Sequence, residues 1–503
     1  IFWRKFQTEE QRKYSDTVVS TEYNNITIDD MGLIYVTTSS IDEAAQQNAI
    51  TGKDKSGDYA PVKKLNTAGD EILDRNGFWP PSGEVKVNEK QTTTDATAIT
   101  GPSKIIDVAL GPEGTWSIID EKRNKVFTYD EEGRLLFVFG DQGTQLGNMQ
   151  SIQAITYMGD EMLLLDKTAD NITVMKRTDY GDTLINAIKN QRERRYDEAE
   201  NGWLEILKRN NNFDAAYVGL GRAYYRDGRY EDAMEMYKFA YDTDNYSTAF
   251  KYYRQEWVAK YALVVPIVVV VIAVAIYFFF GYAGRKNKEV ATRPDGSRTF
   301  WEEVLYGMHV IMHPFDGFWD LKYERRGSVR GAIVYIVLAI AAFTYNGIGS
   351  AYLFNPQGEY ISIFGQIISI LVPLFLWCLA NWCLTTLFEG EGSFKDIFIA
   401  SSYALAPIPL LMIPATLLTN IFTLNESQII TLLTTIMWIW VGLLVFFGSM
   451  ITHDYSLGKN LIISISTIVG MAAIMFIALL FSSLMTKIIS FITSIVVEIS
   501  YRI

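Results

Sequence analysis

Two of the chain's three histidines, His309 and His313, stand four residues apart. On a helix that interval brings both imidazoles to one face. Asp316 and Asp320 follow at the same interval, so the stretch holds the donor types of a two-histidine metal site. The zinc-peptidase pattern needs Glu directly after the first histidine, and Val310 stands there instead. Bulky apolar residues alternate with charges around the pair: Trp301, Phe315, Phe318 and Trp319. The segment therefore reads as an amphipathic anchor in a membrane interface. No metal or other cofactor is expected; His309, His313 and Asp316 are the residues that would ligate one. The third histidine, His453, precedes Asp454 at the end of an apolar run. No phosphate-binding Walker loop, nucleophile elbow or Cys-x-x-Cys pair occurs, and the chain reads as non-enzymatic.

What must position these residues is a membrane. Six apolar runs are long enough to span one, at 260–283, 331–354, 361–388, 397–423, 429–452 and 461–486. The fourth carries Pro407, Pro409 and Pro414, which break the helical ladder; this is a packing kink or, less simply, the broken helix of a transport site. The segment 284–330 between the first two runs holds nine Lys and Arg, while 355–360 and 424–428 hold none. The positive-inside rule makes 284–330 cytoplasmic and leaves residues 1–258 outside. The tail from Lys487 reads as an interfacial helix or as a continuation of the last run.

Charge divides the 503 residues in the same place. Residues 1–258 hold 31 basic and 43 acidic side chains, and the remainder holds 14 of each. An acidic outer half excludes a nucleic-acid surface. Cys378 and Cys383, both in one apolar run, exclude a disulfide framework.

The outer half shows two repeats. Arg195–Ala199 recurs as Arg229–Ala233, an offset of 34 that Trp203 and Tyr237 share. This period resembles that of tetratricopeptide (TPR) repeats, pairs of antiparallel helices. Tyr217, Leu220, Gly221, Tyr224 and Ala233 fall at packing positions of that pattern. Upstream, short alternating strands are separated by turns such as Pro-Glu-Gly at 112–114 and Glu-Glu-Gly at 131–133. Asp120 and Asp166 lie 46 apart, near the blade period of a β-propeller. Phe139-Gly-Asp-Gln-Gly resembles the blade joint of NHL-type propellers. An earlier blade is expected over Asn25–Asn76, with a polar insertion near 40–60. Three blades cannot close a ring, so further blades are expected ahead of Ile1; a small β-sandwich is the alternative.

The fold expected is multidomain: a partial extracellular β-propeller (1–181), α-helical TPR repeats (182–248), a linker helix and first span (249–283), a cytoplasmic interfacial loop (284–330), a five-span bundle (331–486) and a tail (487–503). The stretches His313-Pro-Phe-Asp-Gly-Phe-Trp-Asp-Leu-Lys322 and Tyr403-Ala-Leu-Ala-Pro407 resemble the Yip family of membrane proteins in its Gram-positive bacterial form. That resemblance implies an accessory protein of the cell membrane, beside a carbohydrate ABC importer. Its partners would be the permease subunits, the solute-binding protein, the lipid bilayer and a glycan. Trp203, Tyr217 and Tyr224 outside and Trp301, Phe315, Phe318 and Trp319 at the interface are the candidate interaction residues. The alternatives are an independent small-solute channel through the bundle and a membrane-organising or trafficking protein.

Overall fold

The computed structural model describes residues 23–38, 61–73, 103–293, 297–356, 358 and 362–502. It divides into two compact units, Ile1–Phe250 and Lys251–Ile503. The expected polar insertion at 40–60 lies outside the described residues.

The first unit begins with three antiparallel meanders. They are β1 (Tyr23–Ile28), β2 (Ile34–Thr38) and β3 (Val62–Leu65); β4 (Ile105–Leu110), β5 (Trp116–Asp120), β6 (Lys125–Tyr129) and β7 (Leu135–Phe139); and β8 (Ile152–Met158), β9 (Glu161–Asp166) and β10 (Asn171–Met175). The middle sheet is buried on both faces. Val108, Trp116, Ile118 and Phe127 pack with Tyr35 and Val62 of the first sheet. Ala109, Ile119 and Val126 pack with Ile155 and Leu164 of the third.

The 46-residue offset has a structural counterpart. Asp120 accepts from the Lys104 and Lys122 amides, and Asp166 from the Gln150, Ser151, Thr168 and Ala169 amides. Asn124 and Asp170, also 46 apart, both take the left-handed conformation in the turn that follows. Asn124 then crosses to the next sheet, accepting from the Ile152 amide at 2.8 Å. Buried carboxylates are thus spent on turn amides that would otherwise lack acceptors.

Five helices follow: α1 (Asp179–Arg192), α2 (Tyr196–Arg209), α3 (Asp214–Arg226), α4 (Tyr230–Phe239) and α5 (Thr243–Lys260), the last of which belongs to the second unit from Lys251 onward. Trp203 and Tyr237, 34 residues apart, both pack against α3. A Cβ on Gly219 would fall inside the Trp203 indole, and one on Gly221 would lie 2.7 Å from Tyr237 Cε1. Each large ring on a second helix therefore requires a glycine on α3. Leu136 of β7 joins the same core, tying the helices to the middle sheet.

The second unit is helical: α6 (Val264–Ala291), α7 (Phe300–Met312), α8 (Pro314–Lys322), α9 (Val329–Gly349), α10 (Ile363–Phe388), α11 (Phe394–Tyr403), α12 (Pro407–Thr419), α13 (Ser427–His453) and α14 (Leu457–Arg502). Six segments of it are long and apolar enough to cross a membrane, with α11 and α12 together forming the fourth. This is an integral, multi-pass membrane protein.

Two expectations are revised, and one is decided. Residues 284–330 are not a loop: α6 runs to Ala291, and α7 and α8 fill most of the rest. Phe318 does not dip into lipid; it is buried against Gly448 of α13, where a Cβ would lie 3.0 Å from its ring. Of the two readings of the tail, the structure takes the continuation of the last run: α14 runs unbroken to Arg502. At 1.5 Å per residue its 46 residues reach about 70 Å, over twice the hydrocarbon thickness.

Candidate functional site

Pro314 sets the geometry of the histidine pair. The residue before a proline is pushed out of the helical region, and His313 ends α7 with φ −133° and ψ 69°. The His309 and His313 rings still stack, with centroids 4.7 Å apart. Burial, and then the neighbouring His313, push the His309 pKa down. The aspartates do not join them. Asp320 accepts from Tyr306 Oη at 2.8 Å and pairs with Arg326 at 3.0 Å, and Asp316 is exposed. Among the described residues no three His, Cys, Asp or Glu side chains converge as a metal cage would require.

The α7–α8 pair is bolted to the bundle. Tyr335 Oη donates to the Val304 carbonyl, and Tyr403 Oη to the Glu303 carbonyl at 2.9 Å. Both phenols fill space left by glycines, Gly307 beside Tyr335 and Gly331 beside Tyr403. On the outer face of the pair Trp301, Phe315 and Trp319 are exposed, as the amphipathic reading requires. Arg293 binds both oxygens of Glu302, at 2.7 and 3.0 Å, in front of the capping box of α7. Arg293 and the Thr299 amide hold the Glu302 carboxyl down at about 2.

A second polar cluster gathers around His453. The Gly392 amide donates to His453 Nδ1 at 3.2 Å, so Nδ1 is the bare nitrogen and Nε2 carries the proton. Nε2 then donates to Asn381 Oδ1 at 2.7 Å. The Asn381 amide faces Ser449 Oγ at 3.4 Å and Thr467 Oγ1 at 3.3 Å. Four helices, α10, α11, α13 and α14, meet in this chain of donors through their own residues or adjoining turns. Gly392 must be glycine, since a Cβ would lie 2.8 Å from both His453 Cε1 and Thr452 Cγ2. Between the two loop glycines, Glu391 pairs with Lys322 of α8 at 2.9 Å. Among the described residues no hydrogen bond joins His453 to the 309–320 segment.

The other end of the bundle has its own lock. Arg254, on α5, reaches Glu426 with two bonds of 2.6 and 2.9 Å and the Ile421 carbonyl at 2.7 Å. Nearby, Asn346 donates to Thr416 Oγ1 and Asn420 to the Gly349 carbonyl, both at 3.0 Å. Counting six spans in order, Arg254, Gly349, Asn420 and Glu426 fall on one side of the membrane. Lys322, Glu391 and His453 fall on the other. Among the described residues, none of these polar locks joins residues that alternation would separate.

The proline-containing span is broken at Ala404–Ala406, between α11 and α12. Pro407 opens α12, Pro409 sits in its first turn and Pro414 lies inside it. The break is filled: Tyr403, Ala404 and Ala406 are buried, and the Leu405, Ala406 and Ile408 amides bond three residues back. Freed backbone groups are satisfied within the bundle, which is the kink reading.

In the first unit, Trp203 is a core side chain, and Tyr224 stacks under Arg229 at 4.0 Å. Tyr217 is half-buried, against Phe239. Trp203 and Tyr224 are therefore structural, and only Tyr217 is left partly at the surface. Sequence reasoning missed a cleft of about 290 Å³ lined by Phe137, Phe139, Tyr157, Met175, Arg177 and Tyr180. These residues come from four separate elements and intervening turns, and share no motif.

No curated protein matches the chain. From Met308 in α7 to Phe481 in α14, the bundle and most of its interfacial helix pair match the model of one family, the Yip1 domain, over residues 308–481.

Proposed function

We propose that this chain is a non-enzymatic accessory subunit of the cell membrane, carrying its first unit on the outer face. In this reading the three meanders are NHL-type propeller blades and α1–α4 are TPR hairpins. Repetition supports this: the 46-residue offset recurs in the capped turns, and Trp203 and Tyr237, 34 apart, both pack on glycines of α3. The observation that carries the reading is the sidedness of the polar locks. Arg254 precedes the first span and is tied to the Glu426 turn, while Lys322 and Glu391 meet at the opposite end among the basic residues of 285–330.

The partner proposed is the permease pair of a carbohydrate ABC importer, with the outer unit near its solute-binding protein. The aromatic-lined cleft suits a glycan, since sugar faces stack on rings while Arg177 and Tyr157 supply polar contacts. The test is mild solubilisation of native membranes, affinity capture of this chain and mass spectrometry of what accompanies it. Stoichiometric permease and ATPase subunits support the proposal. A homo-oligomer alone, conducting solute in liposomes, overturns it.

A further inference from the structure

We infer that the turn between α8 and α9, together with Arg298, is a binding site for the phosphate of an anionic phospholipid headgroup. Four observations meet there. Arg298 Nη2 donates to the Glu324 carbonyl at 2.8 Å, which holds the guanidinium against the turn. Its Nε is buried and has no acceptor among the described residues, and no carboxylate among them lies within 4 Å of the group. Arg325, the residue after that carbonyl, is exposed, forms no ion pair among the described residues, and takes the left-handed conformation with φ 52°. Arg326 is beside them but already serves Asp320 and Glu324.

Two arginines without carboxylate partners among the described residues, Arg325 in the turn and Arg298 held against it, therefore stand beside a third whose charge is engaged. Burial and the Arg326 charge together disfavour the Arg298 cation, and burial is the larger cause. A buried N–H without an acceptor is costly, and a phosphate oxygen is the acceptor a guanidinium fork matches best. Glu303 and Glu324, the nearest carboxylates, are engaged with Ser328 and Arg326.

Position selects a lipid phosphate over a soluble one. Ser328 caps α9, so the turn ends where a candidate span begins at Val329. Trp301, Trp319 and Tyr323 are exposed around the same helix pair, at the depth where aromatic side chains meet headgroups. The engaged ion pairs Arg293–Glu302 and Lys322–Glu391 flank the site and leave Arg298 and Arg325 as its open cations.

The test uses the full chain in nanodiscs of phosphatidylcholine containing a fixed fraction of phosphatidylglycerol. Native mass spectrometry reads the phosphatidylglycerol retained on release from the disc. Arg298→Gln and Arg325→Gln should each lower retention roughly fivefold, about what one interfacial charge is worth. Arg298→Lys, which keeps the charge and loses the fork, should fall between. Lys208→Gln, on the exposed face of α2 in the first unit, should change nothing. Wild-type retention should also weaken as ionic strength rises, a readout that needs no variant. Equal retention by wild type and by both folded Gln variants overturns the inference. Displacement of the lipid by millimolar inorganic phosphate, with that phosphate retained in lipid-free detergent, overturns the lipid assignment and makes the site one for free phosphate.

Discussion

Removing Asn381 isolates the energetics of the His453 cluster. Both residues are buried, at 1% and 2% exposure. Gly392 already occupies Nδ1, so the Nε2 proton has one acceptor, Asn381 Oδ1 at 2.7 Å. Hydrogen bonds between membrane helices average about 0.6 kcal/mol and reach about 1.7 kcal/mol. A buried donor left without a partner adds about 1–3 kcal/mol. Thr467 keeps its bond to the Ile463 carbonyl and suffers less. Asn381→Ala is therefore expected to cost about 2 kcal/mol. His453→Ala should cost about 3 kcal/mol, because its ring also stacks on Tyr455 and fills the space beside Gly390 and Gly392. The double variant should cost less than the sum, by about 1.5 kcal/mol, since the shared bond is lost only once. The assay is thermal unfolding in mild detergent followed by tryptophan fluorescence. A domain of this size shifts about 2–4 °C per kcal/mol, so Asn381→Ala should melt about 4–8 °C lower. If the two single effects add to within about 0.5 kcal/mol, or Asn381→Ala melts like wild type, the donor chain is not coupled and the reasoning fails.

Three further outcomes are expected. Gly219→Ala drives a methyl into the Trp203 indole, and overpacking of about 1–3 kcal/mol should exceed the helix-propensity gain of about 1 kcal/mol; circular dichroism should show the first unit melting lower. Glu302 is held at about 2 against an ordinary 4.5, so the stability it contributes is present above pH 4.5 and is lost as pH falls toward 2. With solvent screening this amounts to about 1 kcal/mol, and Glu302→Gln should flatten that acid limb in a melting series. Glu426→Ala and Arg254→Ala should each destabilise the second unit, because each partner also holds backbone, Glu426 the Thr423 amide at 2.9 Å and Arg254 the Ile421 carbonyl at 2.7 Å; a melt like wild type for either in the same fluorescence assay would contradict the lock.

Much of the second unit was legible because its physics is one-dimensional. A run of apolar residues as long as Val264–Ala291 has few alternatives to a span, and the flanking Lys and Arg announce its ends. The 34-residue offset was readable because Trp203 and Tyr237 are large rings, and both pack on glycines of α3. What stayed hidden depends on three-dimensional convergence. Phe318 has the composition of a lipid-facing ring, and only the notch at Gly448 explains its burial. The Gly390-Glu-Gly392 turn looks like a flexible joint, yet it carries the amide that sets the His453 tautomer. Asp316 and Asp320 carry the right atoms for a metal, but Asp320 is bound by Tyr306 and Arg326 from positions no spacing rule connects.

The central claim is the sidedness of the chain, and cysteine labelling in intact cells tests it most directly. With Cys378 and Cys383 replaced by alanine, single cysteines at Tyr241 in the first unit and Ser297 before α7 both lie at exposed positions. A membrane-impermeant maleimide should label the cysteine at Tyr241 in intact cells, and the one at Ser297 only after permeabilisation. Labelling of the Ser297 position in intact cells, with the Tyr241 position protected, would invert the topology and contradict the account.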